Sequence, residues 1–449
     1  MPKWFLVPLL VIIASSQVTA SATSLPVLVY HGIIDSELSP ARFTSQMDAL
    51  RDAGYTTITQ SEANTFLDGT ASLPSKSILI TFDDGRDAQF YPADPILKSH
   101  GFNAVMFAIT KYNTRNQVTY YLNKTEMQTM LDTGRWEVGA HAQDGHAYYQ
   151  IDADGNLGPY LTSKLWLGSR IETTDEYTLR VNRELQEVQD AVAQNFSKIP
   201  SAFAYPFGQY GQNPTNYDGA KDVILDATKT RYATGFIQAH TTEGFTQNYP
   251  GVDTLLARRI EVGDDWDGSD LMNFINHGTP KSLSYYDTLS PDRGWYATYG
   301  RMNLTRGVLA LQAEGSSGGA SAFLDGTYPW TDYTFKANIK SRNNATVSLL
   351  TRFEDPNDYI SCDFSSTGIN IYQRIDDTFY KLASTKATIP LNNFNLTAKV
   401  QDSTATCSYQ GTSVTAVLRD GRAGRGGIGL KVYGKPGEAY VKVEDVKVS

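Results

Sequence analysis

Cysteine, basic runs and long apolar stretches are all scarce in this chain. Only two cysteines, Cys362 and Cys407, occur in 449 residues, both late and neither in a catalytic pattern. No cluster of lysine and arginine stands out, and the formal net charge is -9, which argues against nucleic acid as a partner. Apart from the N-terminus, no segment approaches the length needed to span a bilayer, so the mature protein is expected to have no membrane span. No internal repeat relates the two halves. What is plentiful is tyrosine, 27 in all. Such a share suits sugar-binding surfaces and β-rich packing equally.

The N-terminus reads Met1-Pro2-Lys3, then an apolar run from Trp4 to Ile13, then Ala20-Ser21-Ala22. A positive start, a short apolar core and a small-x-small site predict a signal peptide over residues 1–22. The protein is then expected to be secreted, periplasmic or held at the cell surface. In an oxidising compartment Cys362 and Cys407 can pair, which would stabilise the fold by about 4 kcal/mol on chain-entropy grounds. The alternative is two separate buried thiols.

From Leu25 the chain alternates short apolar strands with helical segments. Strands are expected at Val27–Tyr30, Ser77–Phe82, Asn103–Ile109, Trp136–Ala140, Ala202–Tyr205 and Tyr232–Thr234. Helices are expected at Ala41–Ala53, up to His100, and at Thr125–Thr133, Asp175–Asn195 and Gly219–Thr228. Repeated strand–helix units predict an α/β fold, a parallel sheet closed into a barrel, with chemistry at the C-terminal strand ends. After about Lys281 short Ser- and Thr-rich strands and turn clusters replace helical patterns, predicting an all-β sandwich. The expected division is 23–281 for the barrel and 282–449 for the sandwich. Trp295 and Trp330 of the sandwich can stack on sugars, although core packing is the more ordinary fate of tryptophan.

Ile78-Leu79-Ile80-Thr81-Phe82 runs straight into Asp83-Asp84-Gly85. Side chains alternate along a strand, so one acid can bind a metal while its neighbour handles a proton. His141 and His146 follow another expected strand, and neutral imidazole suits a divalent transition metal. Asp84 would complete a three-ligand set with positions left open for chemistry. Asp83 is then the candidate general base. Phe203-Ala-Tyr-Pro-Phe-Gly208 supplies a turn, in which Tyr205, Pro206 and Phe207 are candidates for oxyanion or substrate contact, the Phe207 N–H foremost. Each feature alone is also an ordinary turn or loop.

The order Thr81-Phe-Asp-Asp-Gly85, His141-x-x-x-x-His146, Tyr205-Pro-Phe-Gly208, together with Val29-Tyr-His-Gly32 and Leu256-Ala-Arg-Arg-Ile-Glu-Val262, resembles the NodB-homology polysaccharide deacetylases, carbohydrate esterase family four. The resemblance covers about Leu25 to Pro280. It implies a distorted NodB-type barrel that removes N-acetyl groups from an N-acetylhexosamine polymer. It also implies Asp83 as base, and Asp84, His141 and His146 as ligands of a divalent metal, zinc first, with cobalt or nickel as alternatives. The five-residue histidine spacing is similar to that of exported poly-β-1,6-N-acetylglucosamine de-N-acetylases. Ala204 stands where many relatives carry an arginine that orients the base, and Arg258 or Arg259 is the expected substitute. The late Leu-x-His motif that supplies the acid elsewhere is missing, so His31 becomes the candidate acid, ahead of His240. His277 and His100 read as helix-end residues. The sandwich more weakly resembles concanavalin-like and laminin-G-type domains, with a carbohydrate-binding role.

Rival functions are chitin or peptidoglycan deacetylation, removal of acetyl esters from xylan-like chains, and a non-catalytic carbohydrate-binding protein. Every candidate catalytic residue precedes Pro280, so a chain ending there is expected to fold and act alone. Asp83→Asn is expected to leave stability near wild type. The polymer and the oligomeric state are not fixed by the sequence.

Overall fold

The computed structural model describes residues 23–117, 120–419 and 424–449. The expected signal peptide, residues 1–22, lies outside the described residues. Among them, no helix is long and apolar enough to cross a membrane.

The first half runs β1 (Val27–Tyr30), α1 (Pro40–Asp52), β2 (Thr56–Thr57), α2 (Gln60–Leu67), β3 (Ser77–Asp84), α3 (Asp87–His100) and β4 (Ala104–Ile109). It continues through α4 (Thr110–Asn113), α5 (Lys124–Asp132), β5 (Trp136–Ala142), a small hairpin of β6 (Tyr148–Gln150) and β7 (Leu157–Pro159), and α6 (Thr174–Phe196). Then come β8 (Ala202–Ala204), α7 (Ala220–Lys229), β9 (Thr234–Ala239), β10 (Ala257–Glu261) and α8 (Gly268–Gly278). Strand order is β1-β10-β9-β8-β5-β4-β3, all parallel, and pairing of β1 with β3 closes a barrel of seven strands. The short β2 pairs with the beginning of β3.

Alternation along the strands divides the core. Ile78, Ile80 and Phe82 pack outward with Phe43, Met47, Leu50 and Leu97 of the helices. Leu79, Val105, Phe107, Ala202, Ala204, Phe236 and Ala257 fill the barrel, and Phe66 and Leu67 of α2 join them. Gly139 belongs to this arrangement, because a Cβ there would meet the Phe107 ring at 2.4 Å. The expected helices match the observed ones to within a few residues. The strand expected at Tyr232–Thr234 instead begins at Thr234 and runs to Ala239, since Tyr232 is drawn into the core between α6 and α7. The helix α2 carries a capping box between Thr59 and Glu62 that the sequence reading passed over.

From Tyr285 onward the chain forms two antiparallel sheets of eight and seven strands. Cys362 lies on a strand of the seven-stranded sheet and Cys407 on one of the eight-stranded sheet, and they form a disulfide across the sandwich core. Trp295 and Trp330 are both 4% exposed within that core, where their indole N–H groups donate to Asp287 Oδ2 and Lys281 O. They offer no ring to a sugar.

The two layers are not independent. Phe245 and Tyr249 of the barrel side pack with Phe323, Tyr328, Leu350, Phe353 and Tyr359 of the sandwich into one buried cluster. Thr246 Oγ1 donates to the buried Asp325 at 2.6 Å, Lys281 Nζ donates to Asp325 O, and Tyr296 OH meets His277 Nδ1 at 2.8 Å. A chain ending at Pro280 would present Phe245 and Tyr249 to water. Burying a large apolar side chain is worth about 1.5–3 kcal/mol. The truncated protein should therefore be less stable by roughly 3–6 kcal/mol, read as an earlier denaturant midpoint, a cost to set against the expectation of a self-sufficient barrel. An unchanged midpoint would show the interface to be energetically idle.

Candidate active site

The two acids are not in a loop. β3 continues through both, so alternation sends Asp83 into the barrel, 1% exposed, and turns Asp84 to the rim. Asp84 has φ +83°, a backbone conformation that a non-glycine residue rarely adopts and that clusters at functional sites. Gly85 follows with φ +73°, and a Cβ there would strike the Asn113 side chain. Asn113 in turn donates to Gly85 O and Leu122 O, which fixes the turn.

Inside the barrel Arg259 of β10 meets Asp83 edge to edge. Its two terminal nitrogens donate to Asp83 Oδ1 at 2.6 Å and Oδ2 at 2.7 Å, and the arginine is fully buried. The guanidinium sits between the rings of Phe107 and Phe236, at 5.3 and 5.9 Å. Burial alone would raise the Asp83 pKa, but Arg259 and the nearby imidazoles hold it down at about 2. Of the two arginines expected, Arg259 makes this contact. Arg258 points the other way, to Glu243 O and the barrel–sandwich seam. Alternation separates the two neighbours.

His141 lies on β5, buried, with Nδ1 bonded to Ala204 O at 2.8 Å. That carbonyl accepts a hydrogen bond from Nδ1–H and leaves Nε2 to face Asp84 Oδ1 at 3.6 Å. His146 Nε2 faces the same oxygen at 3.4 Å. Burial, with His141 beside it, pushes the His146 pKa down to about 4, which keeps that ring neutral. One ligand atom from each of Asp84, His141 and His146 lies within 4.8 Å of the others. Asp84 Oδ1 is buried with no hydrogen-bond partner. A buried carboxylate oxygen without a donor, faced by two imidazole nitrogens, fits a divalent cation.

The loop between the histidines is curled by a residue the sequence reading overlooked. Glu184 of α6 is 1% exposed, and its Oε1 accepts from the N–H groups of Gln143, Asp144 and Gly145 at 2.7, 2.9 and 2.7 Å. Three consecutive amides wrapped on one carboxylate fold residues 143–145 tightly enough for His146 to swing back to His141. Burial raises the Glu184 pKa although the three amides lower it. A glutamate on the inner stripe of a long charged helix was the only signal in the sequence.

The Tyr-Pro-Phe-Gly turn is divided in its roles. Tyr205 is fully buried and its N–H is spent on Phe236 O, while Pro206 has no N–H to give. These two candidates hold the turn and offer no backbone donor, because the strand pairing of β8 extends through Tyr205. Phe207 has φ +59°, and the turn's own bonds come from Gly208 and Gln209, leaving the Phe207 N–H outside them. Its ring packs on His146 at 4.4 Å and on the half-exposed Tyr148 at 5.2 Å. His31, just past the end of β1, accepts from Gln238 Nε2 at 3.2 Å. His240 is exposed, 3.8 Å from Glu261. His277 and His100 sit at helix ends as expected.

Residues 70–222 match the family model described as polysaccharide deacetylase. Over these residues the barrel is similar to polysaccharide deacetylases. The matched part contains Asp83, Asp84, both histidines and the Tyr205 turn, while His31 and Arg259 lie outside it. A Bacillus subtilis protein named as a polysaccharide deacetylase, YxkH, is 33% identical over 119 residues, covering 26% of this chain and 42% of its own. Poly-beta-1,6-N-acetyl-D-glucosamine N-deacetylase of Staphylococcus aureus is 29% identical over 177 residues, or 38% and 53% of the two chains. The match thus spans about half the length of these relatives. A de-N-acetylase structure from Aggregatibacter actinomycetemcomitans overlays 56% of this chain and 99% of that one, at 20% identity and TM-score 0.48. Carbohydrate-binding module CBM66 of Bacillus subtilis overlays 34% of this chain and 94% of that one, at 15% identity and TM-score 0.29.

Proposed function

We propose that the protein is an exported, metal-dependent hydrolase that removes N-acetyl groups from an N-acetylhexosamine polymer. The observation that carries this reading is the division of labour at the end of β3. Asp83 is paired with Arg259, while Asp84 is left with an unpartnered oxygen facing two imidazoles. A binding module has no use for that separation. Asp84, His141 and His146 would hold the ion, with zinc the first metal to test. A divalent metal in such a site lowers the pKa of water and polarises a carbonyl oxygen.

Amide hydrolysis adds water to the acetyl carbon, breaks the C–N bond and releases the amine with a proton. Asp83 takes the proton of the attacking water at a carboxylate oxygen while Arg259 fixes the plane of that carboxylate. The Phe207 N–H donates to the acetyl oxygen as charge develops there. His31 gives the proton to the departing amine. The exposed ring of Tyr148, packed on Phe207 beside His146, flanks the site and offers a face to a sugar ring. The likeness to the Staphylococcus aureus enzyme makes β-1,6-linked N-acetylglucosamine the first polymer to assay. The disulfide accords with an oxidising compartment. The division into a catalytic segment, 23–281, and a sandwich, 282–449, belongs to the same proposal.

The test is acetate release from a panel of acetylated glycans, alongside the metal content of the purified protein. His146→Ala should lose the bound ion and the activity while the far-ultraviolet spectrum is unchanged, since two remaining ligands hold an ion poorly. Full metal occupancy in that variant would remove His146 from the ligand set.

A further inference from the structure

The sandwich carries a cleft that the catalytic reading does not use. On the strand Asp358–Phe364, Cys362 faces the opposite sheet through its disulfide, so its neighbours Ser361 and Asp363 must face outward. Strand register places Ser321, Lys431, Ser348, Asp363 and Asn370 in one row across this outer face. Such a face ordinarily exposes its polar groups, yet Ser348 is fully buried and Asp363 is 5% exposed. The rings of Tyr299, Tyr372, Phe379 and Tyr433 border an open cleft of about 490 Å³ over Ser361, Asp363 and Lys431 of this face. Sites for small ligands run from about 300 to 1,000 Å³.

The floor of the cleft is incomplete. Asp363 Oδ2 accepts from Tyr433 OH at 2.8 Å, but Oδ1 is buried without a hydrogen-bond partner. Burial raises the Asp363 pKa, which the nearby hydroxyls of Ser348, Tyr433 and Ser361 only partly offset. A buried acceptor with no donor is costly unless a ligand supplies one. Lys431 lies beside it. Its ammonium donates to Tyr359 OH at 3.0 Å and sits within 5.6 Å of the Tyr359, Phe379 and Tyr433 rings. The cleft thus holds one acceptor, one cation and aromatic faces. Hydroxyl groups satisfy all three at once, because each can donate to the aspartate and accept from the lysine while the apolar face of the ring stacks.

We propose that this cleft is a second saccharide site that takes a neutral sugar ring, such as an N-acetylhexosamine, in preference to the free amine. Lys431 already supplies the positive charge next to Asp363, and a second ammonium in the cleft would meet it at close range. Building on the deacetylase reading, the sandwich then holds the acetylated substrate and lets go of the de-N-acetylated product, raising the local concentration of uncut polymer at the barrel.

The test is equilibrium binding to full-length His146→Ala protein, in which turnover is blocked. The probes are β-1,6-linked N-acetylglucosamine oligomers and the same oligomers fully de-N-acetylated. The acetylated probe should bind at two sites. Tyr372→Ala should weaken one of them about tenfold, and the same change in the otherwise native enzyme should leave acetate release from short oligomers unchanged. Lys431→Met should narrow the preference for the acetylated probe, an effect that mere loss of packing would not produce. Binding of both probes unaltered by Tyr372→Ala and Lys431→Met would overturn the proposal. So would tighter binding of the amine form, sensitive to Tyr372→Ala, because it would make Asp363 a cation receptor. Absence of acetate release with sugar binding retained would defeat the deacetylase reading and leave this site standing.

Discussion

Asp83→Asn should reduce acetate release by about 10²–10⁴-fold, the usual cost of losing a general base, while the protein keeps its metal. Asparagine preserves the size of the side chain and can still accept a hydrogen bond, but it cannot take the proton of water. Asp84, His141 and His146 are untouched, so metal content measured on the purified variant should match the native value. A variant that retains most of its turnover would reduce Asp83 to a structural residue and require a different group as base. The structure also corrects the expectation that this variant is as stable as the native protein. Among the described residues Asp83 is the sole carboxylate paired with Arg259, which is 0% exposed, so asparagine strands a buried guanidinium. Activity must therefore be measured well below the midpoint of unfolding.

Arg259→Met should be the more damaging change to stability. It leaves Asp83 buried and uncompensated in the centre of the barrel, and breaking a buried pair from one side costs about 3–5 kcal/mol. Methionine fills much of the space between Phe107 and Phe236, so the loss reads charge rather than volume. The double variant Asp83→Asn with Arg259→Met removes both charges. It should recover much of the lost stability, because replacing a buried pair as a unit is often neutral. It should recover none of the activity. Denaturant midpoints of the four proteins give the coupling directly, and additive effects would show that the pair is not an energetic unit.

Glu184 marks a limit of a different kind in reading the site from the chain. The two histidines and the two acids stand out because their types and order carry chemistry. Glu184 makes the histidine loop converge, yet on paper it is one more charge on a 23-residue helix. Its importance comes from three backbone amides some forty residues away, and backbone amides leave no mark in a sequence. Arg259 was legible as a residue type near the end of the barrel. Choosing it over Arg258 needed the register of β10, since one step along a strand turns a side chain from the barrel interior to the seam with the sandwich.

Tyr205 and Pro206 show the converse. The motif that contains them is recognisable, but only the pairing of Tyr205 N–H with Phe236 O reveals that the strand consumes the donor. The tryptophans of the sandwich were legible as aromatic mass, while the ring wall of Tyr299, Tyr372, Phe379 and Tyr433 is assembled from three separate parts of the chain, with Tyr372 and Phe379 on one hairpin.

By itself the sequence determined the alternation of strands and helices, the change to an all-β segment, and the four residues at the end of β3 and around β5 that are proposed for metal and proton chemistry. Those are local matters: periodicity, turn residues and the donor atoms of single side chains. Only the tertiary structure decided which arginine faces Asp83, how the histidine loop closes, that the two cysteines meet, and that the barrel and sandwich share a core. Each of these depends on distances between segments remote in the chain, and such distances are set by register and packing, which no single stretch contains.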